Sequence, residues 1–294
     1  MHRRQKSGKS YIMFSLPSLL LYTVFFIVPV FIGLFYSFTD WNGLSKDYNW
    51  VGFQNFIAAF SDTTILQGLQ NTIVFTVLTV IFQNILGLFL AVILTSTLKG
   101  KRILRTVFFW PVLLSSLVMS YIWSYLYRYQ DGFFNQVLRF IGLGSLAQDW
   151  LGDQKLALLS IIFATVWQMS GFFMVIYITG IESISKDVYE ASSIDGTNTW
   201  QKFFYITFPL LAPSFTICTT LGTVWGLNVF NQVLIMTNGG PGNATESIAS
   251  LIYKKAFHEQ NFGIACALSA ILFLFVAIVS IAQTSVLRKR EVHL

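Results

Sequence analysis

The chain has 294 residues, of which 54% are hydrophobic, 17% aromatic and only 11% charged. Soluble domains carry about 25% charged residues, so this composition excludes an ordinary soluble globular domain and indicates a membrane protein. The net charge is +6. The basic residues flank apolar runs and form no separate basic domain, which argues against nucleic acid as a partner.

Apolar runs that are each long enough to cross a bilayer follow one another along the chain. None contains Asp, Glu, Lys, Arg or His, and none alternates with period 2 like a barrel strand. The first follows a basic start, as in a signal peptide, but it is too long and lacks a small-residue cleavage site. The runs predict an all-α polytopic membrane protein, a single permease domain over 1–294, with six transmembrane helices at about 12–38, 70–98, 106–127, 156–181, 206–236 and 263–287.

The orientation follows from the 19 Lys and Arg residues. With six spans, 13 of these residues lie on the side that holds both termini and the second and fourth loops, and six lie on the other side. Because positive charge marks the cytoplasmic side, both termini are predicted to be cytoplasmic.

The absence of charge inside the spans restricts the mechanism. A charge at the bilayer centre costs about 2.5–3.5 kcal/mol on insertion scales and is kept only for function. Its absence argues against a proton-driven transporter and against an enzyme with an acid or base inside the bilayer. The three His residues are scattered and no metal-ligand spacing occurs, so no metal site is predicted.

Uncharged polar and aromatic residues cluster in the third, fourth and fifth spans. On the fifth span the spacing i, i+3, i+6 and i+7 predicts one helix face, and Gly222-x-x-x-Gly226 predicts close helix packing. Amides, hydroxyls and aromatic rings suit a neutral sugar, but such residues also form hydrogen bonds between membrane helices, and both interpretations stay open. The candidate substrate residues are Ser116, Trp167, Gln168, Phe172, Trp225, Asn228, Asn231 and Gln232.

Residues 182–202 form a polar segment between the fourth and fifth spans, and the charge count places it in the cytoplasm. Ser185 or Asp187 is predicted to cap a first helix that ends at Gly196. Thr197, Asn198 or Thr199 is predicted to cap a second helix that runs to Pro209. Val188, Ala191 and Ile194 would form a narrow apolar face on the first helix. With Glu190 and Asp195 exposed, the pair suits docking of a soluble partner; the alternative is an ordinary loop with good caps.

This segment resembles the EAA loop of ABC-importer permeases, whose pattern is Glu-Ala-Ala, three residues, Gly, and about ten residues later Ile-x-Leu-Pro. The chain departs from the pattern at Ser192 and Phe208. Downstream, residues 237–242 with Glu246 and residues 253–257 resemble the carbohydrate-uptake subgroup, in which Asp often stands where this chain has Asn231. The matching residues of the loop are Glu190, Ala191, Gly196, Ile206 and Pro209.

The resemblance implies a cytoplasmic coupling helix between spans 4 and 5, within a coupling loop at 186–213. It also implies a multi-pass protein of a bacterial or archaeal cell membrane, surrounded by membrane lipid. A related second permease, two ATPases and an extracytoplasmic sugar-binding protein would complete an importer for a carbohydrate. ATP and Mg²⁺ would bind the ATPases, and this chain would hold no cofactor and catalyse no reaction. The residues implied to contact the ATPase are Tyr189, Glu190, Ala191, Ser192, Asp195, Gly196 and Pro209.

Two other classes compete with this hypothesis. One is a sugar facilitator or secondary transporter that works without an ATPase. The uncharged spans argue against ion coupling, and the polar segment argues against a carrier that acts alone. The other is a membrane-embedded enzyme, which would need a catalytic cluster near the bilayer edge. The sequence contains no such cluster.

Overall fold

A computed structural model describes residues 5–96 and 98–289, and the side chains from Phe14 onward within those ranges. In these ranges the regular structure is helical, and the only strand-like pairing is an isolated bridge between Thr39 and Trp50. The α-helices are α1 (Gln5–Tyr22), α2 (Val28–Tyr36), α3 (Gln54–Ser61), α4 (Thr63–Thr95), α5 (Lys101–Phe109), α6 (Ser116–Leu126), α7 (Phe133–Phe140), α8 (Ala157–Ser183), α9 (Lys186–Ile194), α10 (Thr199–Lys202), α11 (Phe208–Leu210), α12 (Ala212–Leu227), α13 (Asn231–Met236), α14 (Ile248–Tyr253) and α15 (Phe262–Arg288).

Four continuous helical segments of the described chain are long and apolar enough to cross a membrane: Phe14–Tyr36, Thr63–Thr95, Ala157–Ser183 and Phe262–Arg288. The count rises to six if two bent pairs are each one span. The all-helical membrane architecture is therefore confirmed, and six spans correspond to the upper count. The predicted cytoplasmic termini and the single domain over 1–294 stay predictions, and Arg3, Arg4 and Arg290 lie outside the described residues.

The predicted third and fifth spans are bent where the sequence has proline. The third consists of α5 with a 3₁₀ turn (Trp110–Leu113) and then α6, at 97°. The fifth bends by 62° between Leu210 and Ala212. Proline has no amide hydrogen and its ring clashes with the preceding turn, so Pro111, Pro209 and Pro213 interrupt the helical hydrogen bonds.

The second span begins at Thr63 and not at the predicted residue 70, because the helix includes polar turns that precede the apolar run. It has 33 residues, which at 1.5 Å per residue is about 50 Å, against about 30 Å for the hydrocarbon core. The additional length allows Gln67, Gln70 and Asn71 to lie outside the apolar layer while the helix continues.

The chain divides into two compact units, Met1–Asp62 with Ile252–Phe273 and Thr63–Leu251 with Leu274–Leu294. In the second unit α4 packs against α8 and α12. Glycines make these contacts close: a Cβ at Gly226 would lie 2.9 Å from the Cα of Thr76, and one at Gly222 would lie 3.1 Å from Val80. The Gly222-x-x-x-Gly226 spacing thus serves helix packing, as predicted.

Candidate functional site: the coupling loop and the interrupted spans

The first coupling helix, α9, has both of the predicted end signals. At its start the Oγ of Ser185 accepts a hydrogen bond from the Asp187 amide at 3.2 Å. At its end Gly196 adopts φ +73°, and the Thr197 amide donates to the Ser192 carbonyl at 3.2 Å, which is the Schellman arrangement. A Cβ at Gly196 would meet nothing within 4 Å. Glycine is therefore required for its backbone conformation and not for space.

The second coupling helix, α10, is capped by Asn198 in a reciprocal capping box with Gln201. The two bonds, from the amide of each residue to the side-chain oxygen of the other, are both 2.8 Å. Of the three caps that the sequence left open, Asn198 is the one that the structure shows, because only its side chain reaches the third amide of the helix.

Hydrogen bonds between side chains join the two coupling helices. Lys202 Nζ donates to the Oγ of Ser193 at 2.7 Å, and the hydroxyl groups of Tyr189 and Thr207 lie 3.1 Å apart. Residues 185–207 therefore form one compact two-helix element.

The residues predicted to form an apolar face on α9 do not turn inward. Ile194 is 88% exposed and Ala191 is also exposed. The side that turns inward is polar, with Ser192 buried and Tyr189 half-buried, because their hydroxyl groups have hydrogen-bond partners within the element. Ile194 is left at the surface.

The outer surface of the coupling loop combines charge with large apolar side chains. Glu190, Asp195, Gly196 and Pro209 are exposed, as expected for contact residues. Trp200 is exposed as well, although the sequence-based hypothesis did not include it or Ile194 among the contact residues. Ile194 lies within the matched motif and Trp200 follows it by four residues. Large apolar side chains in a polar segment are the signal that could have identified them.

An ion pair lies where α8 enters the coupling loop. The Nη2 of Arg105 on α5 donates to Glu182 at 2.8 Å and to the Leu94 carbonyl at the end of α4 at 3.2 Å. Both charged side chains are partly exposed, so the pair contributes little to stability. Its geometry nevertheless connects three helices at the base of the coupling loop.

The interruptions of the third and fifth spans meet at predicted substrate residues. Asn231, the first residue of α13, donates through Nδ2 to the Oγ of Ser116, the first residue of α6, at 2.8 Å. Buried Gln168 on α8 donates to the carbonyl of Leu114, just before α6, also at 2.8 Å. The amide oxygen of Gln168 is buried without a hydrogen-bond partner. Three predicted residues from three spans are thus brought to this junction.

The predicted single face over Trp225, Asn228, Asn231 and Gln232 is wrong, because α12 ends at Leu227. Asn228 is exposed and its Nδ2 bonds back to the Val224 carbonyl at 2.8 Å. Asn231 and Gln232 are half-buried on a separate helix.

The break in the fifth span is stabilised by a distant segment. The Oγ of Ser247 donates to the Val229 carbonyl at 2.8 Å, and this bond satisfies a backbone group that the broken helix leaves free. Buried Glu246 accepts a hydrogen bond from Ser250, which also contacts Ser247. Asn71 on α4 donates to the Glu246 carbonyl at 3.1 Å. Glu246, noted in the sequence only for its resemblance, and the adjacent Ser247 thus hold the broken end of α12 beside α4.

The predicted aromatic residues occur in pairs with partly exposed rings. Phe172 on α8 and Trp225 on α12 have ring centroids 5.3 Å apart, and Trp167 and Trp123 have centroids 5.4 Å apart, each with edge-to-face geometry. Trp167 and Trp225 keep more than a third of their surface exposed. They are therefore available to stack on a ligand as well as on each other.

Two exposed aromatic side chains on α6 are not among the predicted residues. Tyr121 and Tyr125 are four residues apart, so they share one face of α6, but that face is roughly opposite the one that carries Ser116. Arg128 lies over the Tyr125 ring at 3.7 Å. The i, i+4 tyrosine spacing within the span that contains Ser116 is the signal that could have identified them.

Interrupted membrane helices that meet at polar side chains are characteristic of transport proteins, where broken helices form the solute site. The family described as binding-protein-dependent transport system inner membrane component matches residues 83–292. The chain belongs to this family, and it is a multi-pass membrane permease.

Relatives match almost the whole chain. The probable starch degradation products transport system permease protein AmyD of Thermoanaerobacterium thermosulfurigenes is 35% identical, over 98% of this chain and 97% of that protein. The multiple sugar-binding transport system permease protein MsmF of Streptococcus mutans is 33% identical, over 95% of each. The trehalose/maltose transport system permease protein MalF of Thermococcus litoralis is 32% identical, over 99% of this chain and 96% of that protein.

The fold also has a solved counterpart. A chain of a bacterial ABC transporter involved in the import of the acidic polysaccharide alginate superposes with a TM-score of 0.85 and 21% sequence identity, covering 97% of this chain and 96% of that one. This similarity establishes the ABC permease fold.

Proposed function

We propose that this chain is one permease subunit of an ATP-driven, binding-protein-dependent ABC importer for a carbohydrate, either an oligosaccharide or a sugar derivative. It would form half of the translocation pathway and dock an ATPase through Glu190–Gly196. The observation that carries the proposal is the compact, exposed coupling loop, which continues directly into the interrupted fifth span.

A carbohydrate substrate is supported by the chemistry of the junction. Ser116, Gln168 and Asn231 supply uncharged hydrogen-bonding groups there. The proposed substrate residues also include Asn228 and aromatic rings that suit the apolar faces of a sugar. The names of three relatives, AmyD, MsmF and MalF, refer to starch products, multiple sugars and trehalose or maltose. No charged side chain is among the proposed substrate residues, so a neutral carbohydrate fits better than an anionic one.

The proposed assembly contains a related second permease, two ATPases and an extracytoplasmic sugar-binding protein. The family description supports the binding protein. The chain would cross a bacterial or archaeal cell membrane six times with both termini in the cytoplasm. ATP and Mg²⁺ would be bound by the ATPases, while this chain would hydrolyse nothing.

The coupling path follows the chain. Closure of the ATPases would displace α9 and α10, and the displacement would pass through residues 203–211 to α12. Because Asn231 is bonded to Ser116, a shift of the fifth span would reach the third span as well. The polar junction would thus change its access from one side of the membrane to the other, as in alternating access.

An uptake assay across a panel of sugars tests the substrate class. Cells that express the complete transporter, and cells that lack this permease, would be given labelled monosaccharides, neutral oligosaccharides, acidic oligosaccharides and amino acids. We expect permease-dependent uptake of at least one neutral carbohydrate and none of the amino acids. Uptake confined to amino acids would contradict the proposal.

A further inference from the structure

Helix α3, together with Phe53 directly before it, carries an exposed apolar stripe. Phe53, Ile57 and Phe60 are 67%, 64% and 61% exposed, and their spacing of four and three residues places them on one side of the helix. Asn55 and Ala59, on the other side, are buried. The short helix is therefore amphipathic, but its large apolar side chains are the ones at the surface.

One end of α3 is held at the end of the first membrane helix. Asn55 Nδ2 donates to the carbonyls of Ser37 and Thr39, each at 2.8 Å, and the first span ends at Tyr36. The ring of Phe53 lies 5.3 Å from that of Phe38. The helix thus lies at the level where the first span leaves the membrane.

The other end of α3 is held by an ionic contact. Asp62, directly after the helix, lies 3.5 Å from Lys255, which also pairs with Glu259 at 2.9 Å. Burial lowers the pKa of Lys255, but the hydrogen bond and charge of Glu259 and the charge of Asp62 outweigh it and raise that pKa overall. With both ends held, α3 keeps its apolar stripe outward.

The composition around the stripe distinguishes lipid from a protein partner. Residues 48–61 contain no Asp, Glu, Lys, Arg or His, so the stripe offers no charge to orient a docking protein. Trp50 is exposed and stacks on Phe38 at 5.5 Å, and Trp is enriched at membrane–water interfaces. No residue of the first span from Phe14 to Tyr36 is buried within the described chain, so this span also presents its apolar surface outward.

We infer that α3 is an interfacial helix whose stripe of Phe53, Ile57 and Phe60 inserts into the boundary between lipid headgroups and acyl chains. It anchors the loop between the first two spans parallel to the membrane surface. The insertion depth expected for such a helix is about 5–10 Å. This inference is independent of the transported solute and of ATPase docking.

Spin labelling in proteoliposomes tests the inference. Ile57→Cys, in a chain with Cys218→Ala and Cys266→Ala that retains uptake, would be labelled with a nitroxide in the complete transporter. The vesicles would contain phosphatidylethanolamine and phosphatidylglycerol. We expect collisions with oxygen, which partitions into lipid, to exceed those with a water-soluble nickel chelate. The matched control, Lys46→Cys in the same loop, should show the opposite order.

Two results would overturn the inference. Dominant collisions with the nickel chelate at position 57 would place the stripe in water. Exclusion of both agents at position 57 would mean that a protein covers the stripe. Labels at positions 53 and 60 repeat the measurement on the same face, so a local disturbance at one position does not decide the result.

Discussion

Replacing Gly196 by valine should markedly weaken the association of this permease with its ATPase while leaving insertion into the membrane intact. A β-branched residue is strained at φ +73°, at a cost of about 1–2 kcal/mol. The chain would relieve the strain by giving up the Thr197–Ser192 hydrogen bond, which orients α10 relative to α9. We expect ATPase affinity to fall about tenfold or more, since 1.4 kcal/mol is a factor of ten, and uptake to fall with it.

The matched control is Gly196→Asn, because asparagine tolerates the left-handed conformation far better than valine. It should retain most of the association in a pull-down from detergent-solubilised membranes. Glu190→Lys, which reverses an exposed charge at the same surface, should weaken association without changing the helix pair. Normal association of the valine variant would contradict a docking role for this loop.

Replacing Asn231 by alanine should reduce substrate-stimulated uptake about tenfold while the transporter still assembles. Hydrogen bonds between membrane helices contribute about 0.6 kcal/mol on average and about 1.7 kcal/mol at most, so losing the bond to Ser116 should not disrupt the fold. Asn231→Ala would also remove a polar contact that orients the sugar, or the link between the two interrupted spans. Either loss would affect transport far more than it affects the stability of the fold. Asn228→Ala should also reduce uptake, since Asn228 is exposed just after α12 and its Nδ2 bonds back to the Val224 carbonyl and not to another helix.

A double-mutant comparison separates the two roles of Asn231. If Asn231 and Ser116 act mainly through their shared bond, Ser116→Ala combined with Asn231→Ala should be little worse than either change alone. If each contacts the sugar independently, the effects should add. Loss of assembly equal to the loss of uptake would favour a purely structural role, and quantification of the assembled complex on native gels measures it.

Local signals predicted much of the fold. Apolar run length predicted the spans. The coupling helices were predictable because their caps, Ser185, Asn198 and Gly196, act on backbone groups within three residues. The resemblance of the motif and the downstream segment indicated the family that the comparisons confirm.

The break after Leu227 was not predictable, because no proline or glycine occurs at residues 228–230. It is stabilised by Ser247, which bonds the Val229 carbonyl 18 residues before it, and Asn231 in the helix that follows is bonded to Ser116, 115 residues earlier. The periodicity of a single sequence carries no information about such distant contacts. It therefore predicted a continuous helix face on the fifth span. The same holds for α9, where hydrogen bonds of Tyr189 and Ser192 override the apolar pattern.

Uptake into proteoliposomes with controlled ATP tests the central claim most directly. The permease pair would be reconstituted with and without the ATPases, with the sugar-binding protein outside and either ATP or a non-hydrolysable analogue inside. We predict that labelled carbohydrate accumulates only when the ATPases, ATP and Mg²⁺ are all present. Uptake at a comparable rate without the ATPases would contradict the proposed function and identify a facilitator instead.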